Sequence, residues 1–238
     1  MYCVEERDIE ESARGSNMSK ITPLKFGISN LTLIQDSGMI VVDTGCQSEK
    51  EAYVEAFAEL GINLKDINLI VITHAHWDHC SRVNELKDLT GAPVLCHKNA
   101  VPVLQKGEWL EFKPRGEVGK RFIELIANDA ADVIKPINPD IIVDSEFDLT
   151  PFGVAGKTIY TPGHSDCSIS VVLDSGEAIM GDILRESPFD GKLCLAFIAT
   201  DEEKLVDSVR NLLKIKALHT FYGGHDGPHT REAVSQLV

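Results

Sequence analysis

A membrane-spanning helix requires about 20 consecutive apolar residues, and the sequence has no apolar run that approaches this length. Apolar runs such as residues 39–42 and 69–72 have the length of β-strands. The first residues are polar and lack the basic start and apolar stretch of a secretory signal peptide. We therefore expect a cytoplasmic protein with no membrane partner.

Basic side chains are scarce relative to acidic ones. The 238 residues include 23 Lys and Arg but 37 Asp and Glu, which gives a formal net charge of −14. Because an acidic surface repels phosphate backbones, we expect no nucleic-acid partner. The net charge does not constrain a local pocket, so the expected partner is a small-molecule substrate, small anions included.

Closely spaced cysteines are absent as well. No two of the six cysteines are separated by only two residues, and they are scattered along the chain. Zinc sites and redox motifs built on cysteine use such a spacing. We therefore expect buried, reduced thiols rather than metal ligands or disulfides.

What is present divides into a short leader and one domain-sized remainder. Residues 1–19 are polar and acidic, and we expect a loosely ordered leader there. Residues 20–238 suit a single domain with a full core. Residues 98–140 are interpreted as an insertion of loops and helices that covers a site or forms an interface in a homo-oligomer. Arg115, Lys120 and Arg121 within it bind an anionic substrate group or form a solvated basic face.

Apolar strands alternate with helices along the predicted domain. Strands at 31–34 and 39–43 predict a hairpin across a Gly turn, and a helix follows from 49 to 60 with Ser48 as its cap. Further strands are predicted at 69–73, 94–96, 141–143, 157–160, 168–173, 178–180 and 219–222. Further helices are predicted at 81–89, 118–128, 129–134, 201–213 and 230–237. This order predicts an α/β fold with helix-covered sheets.

The segment after the strand at 69–73 concentrates metal-binding side chains. It contains His74, His76, Asp78 and His79, so three imidazoles and one carboxylate fall within six residues. Imidazole suits zinc, iron and other first-row metals, and Asp adds an anionic oxygen. Because four ligands on one loop cannot all reach a single ion, the spacing favours two pairs, His74 with His76 and Asp78 with His79.

Each pair needs partners from elsewhere in the chain. His164, Asp182 and His225 each lie just past an apolar strand, in a turn that contains glycine. Glycine lets the backbone approach a site closely, and the ends of strands are where α/β proteins usually place their sites. His229, four residues after His225, is an alternative to it.

These residues resemble the metallo-β-lactamase superfamily. Its mark is H-x-H-x-D-H followed by a distal His, Asp and His, and Asp43-Thr44-Gly45 matches the strand end that precedes this motif in the family. The resemblance extends over roughly residues 24–229. It implies an αβ/βα four-layer sandwich, in which two mixed sheets pack face to face between flanking helices.

The resemblance also implies a role for each site residue. The ligands of the first metal ion are His74, His76 and His164. The ligands of the second are Asp78, His79 and His225. Asp182 bridges both ions, and Asp43 orients the histidine loop from behind the ligands. The implied cofactors are two divalent ions, zinc first, with iron or manganese as alternatives that suit the same nitrogen and oxygen ligands.

A hydrolytic mechanism follows from this resemblance. Two ions about 3.5–4 Å apart can share a hydroxide, lower its pKa towards neutrality and polarise a carbonyl oxygen. The bridging hydroxide attacks an ester-like bond, and Asp78 is the catalytic residue that orients it. Tyr160 and Tyr222 lie near proposed ligands, and either hydroxyl can donate to the developing oxyanion or simply pack in the core.

Differences from other branches of the family restrict the classes of substrate that we expect. The β-lactamases with two zinc ions carry Cys or Ser where this chain has Asp182, which argues against β-lactam hydrolysis. What remains resembles the glyoxalase II and lactonase branch, which cleaves thioesters and lactones. Cys80-Ser81 replaces the Gly pair common in the thioester hydrolases. Two alternatives stay open: a persulfide dioxygenase with one iron, and a non-catalytic metal-binding or partner-binding module.

Overall fold

The computed structural model describes residues 19–126 and 133–238. Residues 1–18, nearly all of the predicted leader, lie outside the described residues. The same holds for residues 127–132, which include the end of the predicted helix at 118–128 and most of the one at 129–134. In neither described range does a helix have the length and apolar character needed to cross a membrane.

The first of two six-stranded sheets is built from the N-terminal part of the chain. In spatial order its strands are β1 (Lys20–Phe26), β2 (Ser29–Gln35), β3 (Met39–Val42), β4 (Ile67–Val71), β5 (Val94–His97) and β6 (Ile141–Val143). Strands β1 to β3 are antiparallel, whereas β3 to β6 are parallel. The carboxyl ends of these parallel strands therefore meet at one edge of the sheet, where ligands bind in open α/β sheets.

The second sheet is built from the C-terminal part of the chain. The first strands there are β7 (Phe147–Asp148), β8 (Gly156–Tyr160), β9 (Ile169–Leu173) and β10 (Glu177–Ile179). A separate hairpin follows, with strands β11 (Leu184–Glu186) and β12 (Leu193–Leu195). The last strands are β13 (Thr220–Tyr222) and β14 (His229–Thr230). The spatial order is β14-β13-β10-β9-β8-β7, with β10 and β13 parallel and the other pairs antiparallel.

Helices connect the strands and cover the outer faces of both sheets. In chain order they are α1 (Lys50–Glu59), α2 (Trp77–Cys80), α3 (Val83–Thr90), α4 (Val101–Leu104), α5 (Gly116–Ile126), α6 (Glu202–Lys214) and α7 (Arg231–Ser235). Tyr53 and Phe57 of α1 are buried with Ile70 on the outer side of the first sheet. Leu205 of α6 is buried with Phe221 on the outer side of the second.

Alternation of side chains along the strands places the two sheets face to face. On β3, Ile40 and Val42 point into the core between the sheets, while Val41 belongs to the outer core beneath α1. Ile169 and Val171 of β9 enter the same inner core from the second sheet. Successive side chains of a strand point to opposite faces, so each sheet is covered on both sides. The predicted αβ/βα four-layer sandwich is confirmed.

Three local details differ from the sequence-based expectation. Ser48 does not cap the first helix, because its hydroxyl donates to the Cys46 carbonyl oxygen (3.0 Å) and the helix begins at Lys50. Strand β1 pairs with β2 along its whole length, although its mixed polar sequence gives it a weak strand signal. The motif segment does not stay a loop, since Trp77–Cys80 forms a helical turn with His76 as its N-cap.

Candidate metal centre

The ends of two neighbouring strands bring the N-terminal motif to the edge of the first sheet. Strand β3 ends at Val42 and β4 at Val71. The backbone N–H of Asp43 donates to the Val71 carbonyl oxygen (2.8 Å), so Asp43 lies beside the start of the histidine segment. All four motif side chains are buried: His74, His76, Asp78 and His79.

Asp43 holds the histidine segment in place. Its Oδ1 accepts from the Thr73 backbone N–H (2.7 Å), and its Oδ2 accepts from the Thr73 hydroxyl (2.7 Å) and lies 2.9 Å from His79 Nδ1. Its own φ is +60°, in the left-handed region that Asp tolerates better than most residues. Such a backbone persists only where its surroundings hold it. These are the contacts that an orienting role requires.

The first group of predicted ligands joins both sheets. His74 and His76 come from the motif, and His164 comes from the turn after β8. His74 Nε2 lies 3.0 Å and His164 Nε2 lies 2.9 Å from His76 Nδ1. The three imidazoles therefore converge on one point, with one nitrogen each within 4.8 Å of the others.

The second group is equally compact. His79 Nε2 and His225 Nε2 lie 3.3 Å apart, and Asp78 Oδ2 is 3.4 Å from the first and 3.2 Å from the second. His225 follows β13, so this group also takes residues from both sheets. Here too the ligand atoms lie within 4.8 Å of one another.

Asp182 closes the second group from the far side. It lies in a 3-10 turn after β10, with Oδ1 3.2 Å from His79 Nε2 and Oδ2 3.1 Å from His225 Nε2. Gly224 makes this approach possible, because a Cβ there would lie 2.4 Å from Asp182 Oδ1 and 2.6 Å from His79 Cε1. The glycine-containing turns noted in the sequence thus serve close packing around the carboxylate.

Hydrogen bonds on the outer sides of the first group show that a cation fits inside it. His164 Nδ1 lies 2.7 Å from the Ile198 carbonyl oxygen, so this nitrogen is the donor. The Thr73 hydroxyl donates to Asp43, and its oxygen therefore accepts from His74 Nδ1 at 2.9 Å. In the neutral rings, Nε2 of both His74 and His164 then presents a lone pair to His76 Nδ1. A single N–H at His76 Nδ1 can donate to only one of these two lone pairs, whereas a metal ion can bind one nitrogen from each of the three imidazoles.

The second group has the same deficit of protons. His225 Nδ1 donates to the Ile28 carbonyl oxygen (2.7 Å) and His79 Nδ1 donates to Asp43. In the neutral rings, both Nε2 lone pairs therefore face the carboxylates. Asp78 Oδ1 and Asp182 Oδ1 are buried and make no hydrogen bond among the described residues. Buried anionic oxygens without partners are costly unless a cation lies between them. The donor set of imidazole and carboxylate therefore fits a divalent metal ion.

The pKa values support this assignment. Burial, followed by repulsion between the imidazoles, lowers the pKa of His74 and His76 well below the usual range, which keeps their lone pairs available. Burial opposes the ionisation of Asp78 and Asp182, but nearby imidazoles outweigh it and hold both pKa values well below normal. Burial also opposes the protonation of His79, yet the surrounding carboxylates, Asp182 first, raise its pKa well above normal. In the metal-free fold the surrounding carboxylates thus favour the cationic form of His79.

A cavity of about 420 Å³ opens directly onto these residues. Asp78, His164 and Asp182 form part of its wall, and much of the remainder is apolar. Its apolar lining comes largely from the segment between β5 and β6: Trp109, Phe112, Phe122, Ile123 and Ile126. The segment that the sequence indicated as a cover for a site therefore lies beside the metal-binding residues.

The two tyrosines predicted near the site point elsewhere. The Tyr160 hydroxyl donates to the Asp166 carbonyl oxygen (2.9 Å), and its ring stacks on His97 with centroids 4.3 Å apart. Tyr222 packs against the core between the sheets. Among the described residues neither lines the cavity, so the structure does not bring Tyr160 or Tyr222 to the predicted ligands.

The alternative ligand His229 is also placed away from the cluster. Its Nε2 lies 2.8 Å from Asp226 Oδ1, whose other oxygen accepts from the Glu186 backbone N–H (2.6 Å). These contacts tie down the loop that carries His225. The structure therefore brings His225, rather than His229, to Asp78.

The basic residues of the insertion take part in surface contacts. Arg115 pairs with Glu202 (2.6 Å), Lys120 pairs with Glu117 (2.7 Å), and the Arg121 guanidinium lies 4.4 Å from the centre of the Phe189 ring. None of the three lines the cavity within the described ranges. The arrangement matches the solvated basic face rather than an anion site.

Sequence reasoning missed Arg185, which does line the cavity. Its Nη1 lies 3.4 Å from Asp182 Oδ2, and its guanidinium lies over the rings of Phe122 and Phe197. Its position three residues after Asp182, at the second residue of β11, was the available signal.

The cysteines of the described residues form no disulfide bond with one another, as expected. Cys46, Cys80, Cys96 and Cys167 are buried, and Cys194 is partly exposed. Burial raises the pKa of Cys96 to about 12 and that of Cys167 to about 11. Thiols with such pKa values stay protonated and are poor nucleophiles and metal ligands.

Comparison with known families decides what this arrangement belongs to. The sequence matches the metallo-beta-lactamase superfamily over residues 24–225, which spans the motif and the distal residues. The chain belongs to the metallo-β-lactamase superfamily. The match extends from the end of β1 to the turn after β13 that carries His225, and so includes strands of both sheets.

Known relatives share most of the chain. The probable metallo-hydrolase YqgX of Bacillus subtilis is 30% identical over 201 residues, which cover 83% of this chain and 84% of that protein. Among solved structures, the B3 metallo-beta-lactamase BLEG-1 superposes with a TM-score of 0.66 at 19% identity, over 91% of this chain and 95% of its own. The structure of TTHA1623 in a di-iron-bound form gives a TM-score of 0.66 at 22% identity, over 90% and 97%. At these identities the solved structures establish a shared fold.

Proposed function

We propose that this protein is a metal-dependent hydrolase that uses two divalent ions to cleave an ester-like bond of a small molecule. The observation that carries the proposal is the convergence of two complete ligand groups on one edge of the fold, with Asp182 beside them. His74, His76 and His164 hold the first ion. Asp78, His79 and His225 hold the second. Zinc is the first choice of metal, with iron or manganese as alternatives.

Homology supports the class of reaction. The relatives that share most of this chain are described as probable metallo-hydrolases. All seven predicted ligands are buried or nearly so, and imidazole nitrogens and carboxylate oxygens converge on the inner side of each group. A scaffold kept only for binding a partner has no need of such a set.

The residues of the chain divide the chemical work. Bound metal ions supply an acidified water molecule and an electrophile for the carbonyl oxygen. Asp78 Oδ1 has no partner among the described residues, so it is available to accept a hydrogen bond from the nucleophile and to orient it. Asp43 keeps the His79 ring fixed by its contact with Nδ1. The apolar wall of the cavity excludes water and so strengthens these polar interactions.

The size of the cavity favours a small substrate. A volume of about 420 Å³ accommodates a small organic molecule, and its apolar wall suits an acyl or ring portion. Thioesters and lactones combine such a portion with a reactive carbonyl group, so we propose them as substrates. In the same proposal residues 20–238 act as one domain in the cytoplasm.

Metal content and hydrolysis test the proposal together. Protein purified without added metal is analysed by elemental mass spectrometry and then assayed with panels of thioesters, lactones and phosphoesters. Two ions per chain and metal-dependent hydrolysis are expected. One iron with oxygen uptake on persulfides would favour the dioxygenase, and no metal even after reconstitution would leave only a binding role.

The variant His76→Ala sharpens this test. His76 Nδ1 contacts both other histidines of the first group. The loss of this side chain is therefore expected to abolish hydrolysis and to reduce the bound metal by about half. The matched control is His219→Ala, since His219 is an exposed histidine outside the cluster. Full activity and unchanged metal content in His76→Ala would contradict the proposal.

A further inference from the structure

Beyond the metal-binding residues, the wall of the cavity is largely apolar, and its polar side chains there are Gln47, Glu111 and Arg185. Apolar side chains such as Trp77, Trp109 and Phe112 form much of its wall. Among the described residues that line it, Arg185 is the one Lys or Arg. A cationic side chain on an apolar wall is costly to desolvate, so its presence calls for an explanation.

Aromatic rings hold the Arg185 guanidinium in the wall. Its Cζ lies 5.2 Å from the ring centre of Phe122 and 5.4 Å from that of Phe197, within the range of cation–π contacts. The side chain is 19% exposed. The group is therefore placed firmly, with part of its surface open to the cavity.

Support of Asp182 does not account for this placement. The only hydrogen bond of the guanidinium to described residues runs from Nη1 to Asp182 Oδ2, at 3.4 Å. Charge-assisted hydrogen bonds are usually about 2.7–2.9 Å long. Asp182 also has closer contacts with His225 and His79. Most of the five N–H donors of Arg185 thus remain available to another acceptor.

We propose that Arg185 binds a carboxylate of the substrate, and that the rest of the substrate is an apolar body held by the aromatic wall. This inference rests on the proposed function, because the occupant of the cavity is taken to be the molecule that is cleaved. Since Arg185 adjoins Asp182, the bound carboxylate lies a few bonds from the scissile group rather than at the mouth of the cavity. The substrate class is an ester, thioester or lactone that carries an acid group near the reacting carbonyl.

Intrinsic fluorescence gives a readout that does not depend on turnover. The chain has two tryptophans, and both Trp77 and Trp109 line the cavity. Metal-loaded protein is titrated with phenylsuccinic acid monoamide, which is an anion, and with the neutral phenylsuccinic diamide. The two probes share the aromatic body and resist hydrolysis, so they differ in the carboxylate alone.

Three variants accompany the wild type in these titrations. Arg185→Gln removes the charge, Arg185→Lys keeps it without the planar pair of donors, and Arg121→Gln removes an exposed arginine of α5 as the control. Wild type and Arg121→Gln are expected to bind the anion about tenfold to hundredfold more tightly than the diamide. Arg185→Gln is expected to lose most of this preference, and Arg185→Lys to keep part of it.

Two results would overturn the inference. Equal affinity of the wild type for both probes would show that the cavity does not select an anion. An unchanged preference of Arg185→Gln for the anion over the diamide would assign the selection to the metal ions. If Arg185→Gln lost its metal, Arg185→Lys would decide instead, and an unchanged preference in that variant would argue against recognition by paired donors. Failure to find a hydrolysed substrate would count against the proposed function but would leave the fluorescence result unaffected.

Discussion

Gly224 offers a sharp test of the metal centre, because a single methyl group there meets two predicted ligands. In Gly224→Ala the new Cβ would lie 2.4 Å from Asp182 Oδ1 and 2.6 Å from His79 Cε1. Nonbonded heavy atoms need about 3.5 Å, so one side must move by about 1 Å. His79 cannot yield freely, because Asp43 Oδ2 holds its Nδ1 at 2.9 Å.

A displacement of this size exceeds what a metal ligand tolerates. Functional side chains must stay within about 0.5 Å of their productive positions. We therefore expect Gly224→Ala to weaken metal binding at the second group by about 10-fold to 100-fold, or about 1.4–2.7 kcal/mol. Overpacking should also lower the free energy of unfolding of the metal-free protein by about 1–3 kcal/mol.

Competition with a chelator of known affinity measures the first effect, and denaturation with urea measures the second. Gly61→Ala is the matched control, since Gly61 has φ +70° and a Cβ added there would meet no described atom within 4 Å. It should lose about 1 kcal/mol of stability through backbone strain and keep its metal affinity. Wild-type metal affinity in Gly224→Ala would refute the close approach of Gly224 to both ligands.

Two further predictions concern Asp43 and His79. In Asp43→Ala the metal affinity should fall about 10-fold to 100-fold, because Thr73 and His79 lose the carboxylate that positions them. Chelator competition measures this affinity, and an unaltered value would contradict the orienting role of Asp43. Because the pKa of His79 is raised in the metal-free fold, its extra proton stabilises that fold fully below the ordinary histidine range. This contribution is lost as pH rises through the raised pKa, so the free energy of unfolding of chelator-treated protein should fall towards alkaline pH, and a flat profile in urea denaturation would contradict the assignment.

The sequence was sufficient to select the buried His and Asp side chains that the fold brings together, because these residues carry their own signal. Four metal-binding side chains stand within six residues of one another, and His164, Asp182 and His225 each follow an apolar strand. The order of strands and helices also predicted an α/β fold with helix-covered sheets, since buried strands are short and apolar, whereas the four-layer arrangement was implied by the family resemblance. Side chains that share a chemical role can be recognised from the sequence alone when their spacing is unusual.

Other features depend on contacts that spacing does not reveal. Ser48 is a good cap by residue type, but a nearer carbonyl oxygen at Cys46 takes its hydroxyl. Tyr160 is close to His164 in sequence, yet its hydroxyl turns to Asp166. Arg185 carries no motif at all, and only the fold places it in the wall of the cavity. In each case the direction of the side chain, rather than its position in the chain, decides the outcome.

The distribution of the ligands over two sheets has a consequence for the order of assembly. His76 and His164 are 88 residues apart in the chain, and His79 and His225 are 146 apart. Neither half can capture an ion with a full ligand set before the sheets have docked, because each set draws on both. An ion bound afterwards links the two sheets across the seam between them. It opposes their separation because, like a covalent cross-link, it closes a long loop of the chain. Removal of metal should therefore loosen that seam before it affects either sheet alone.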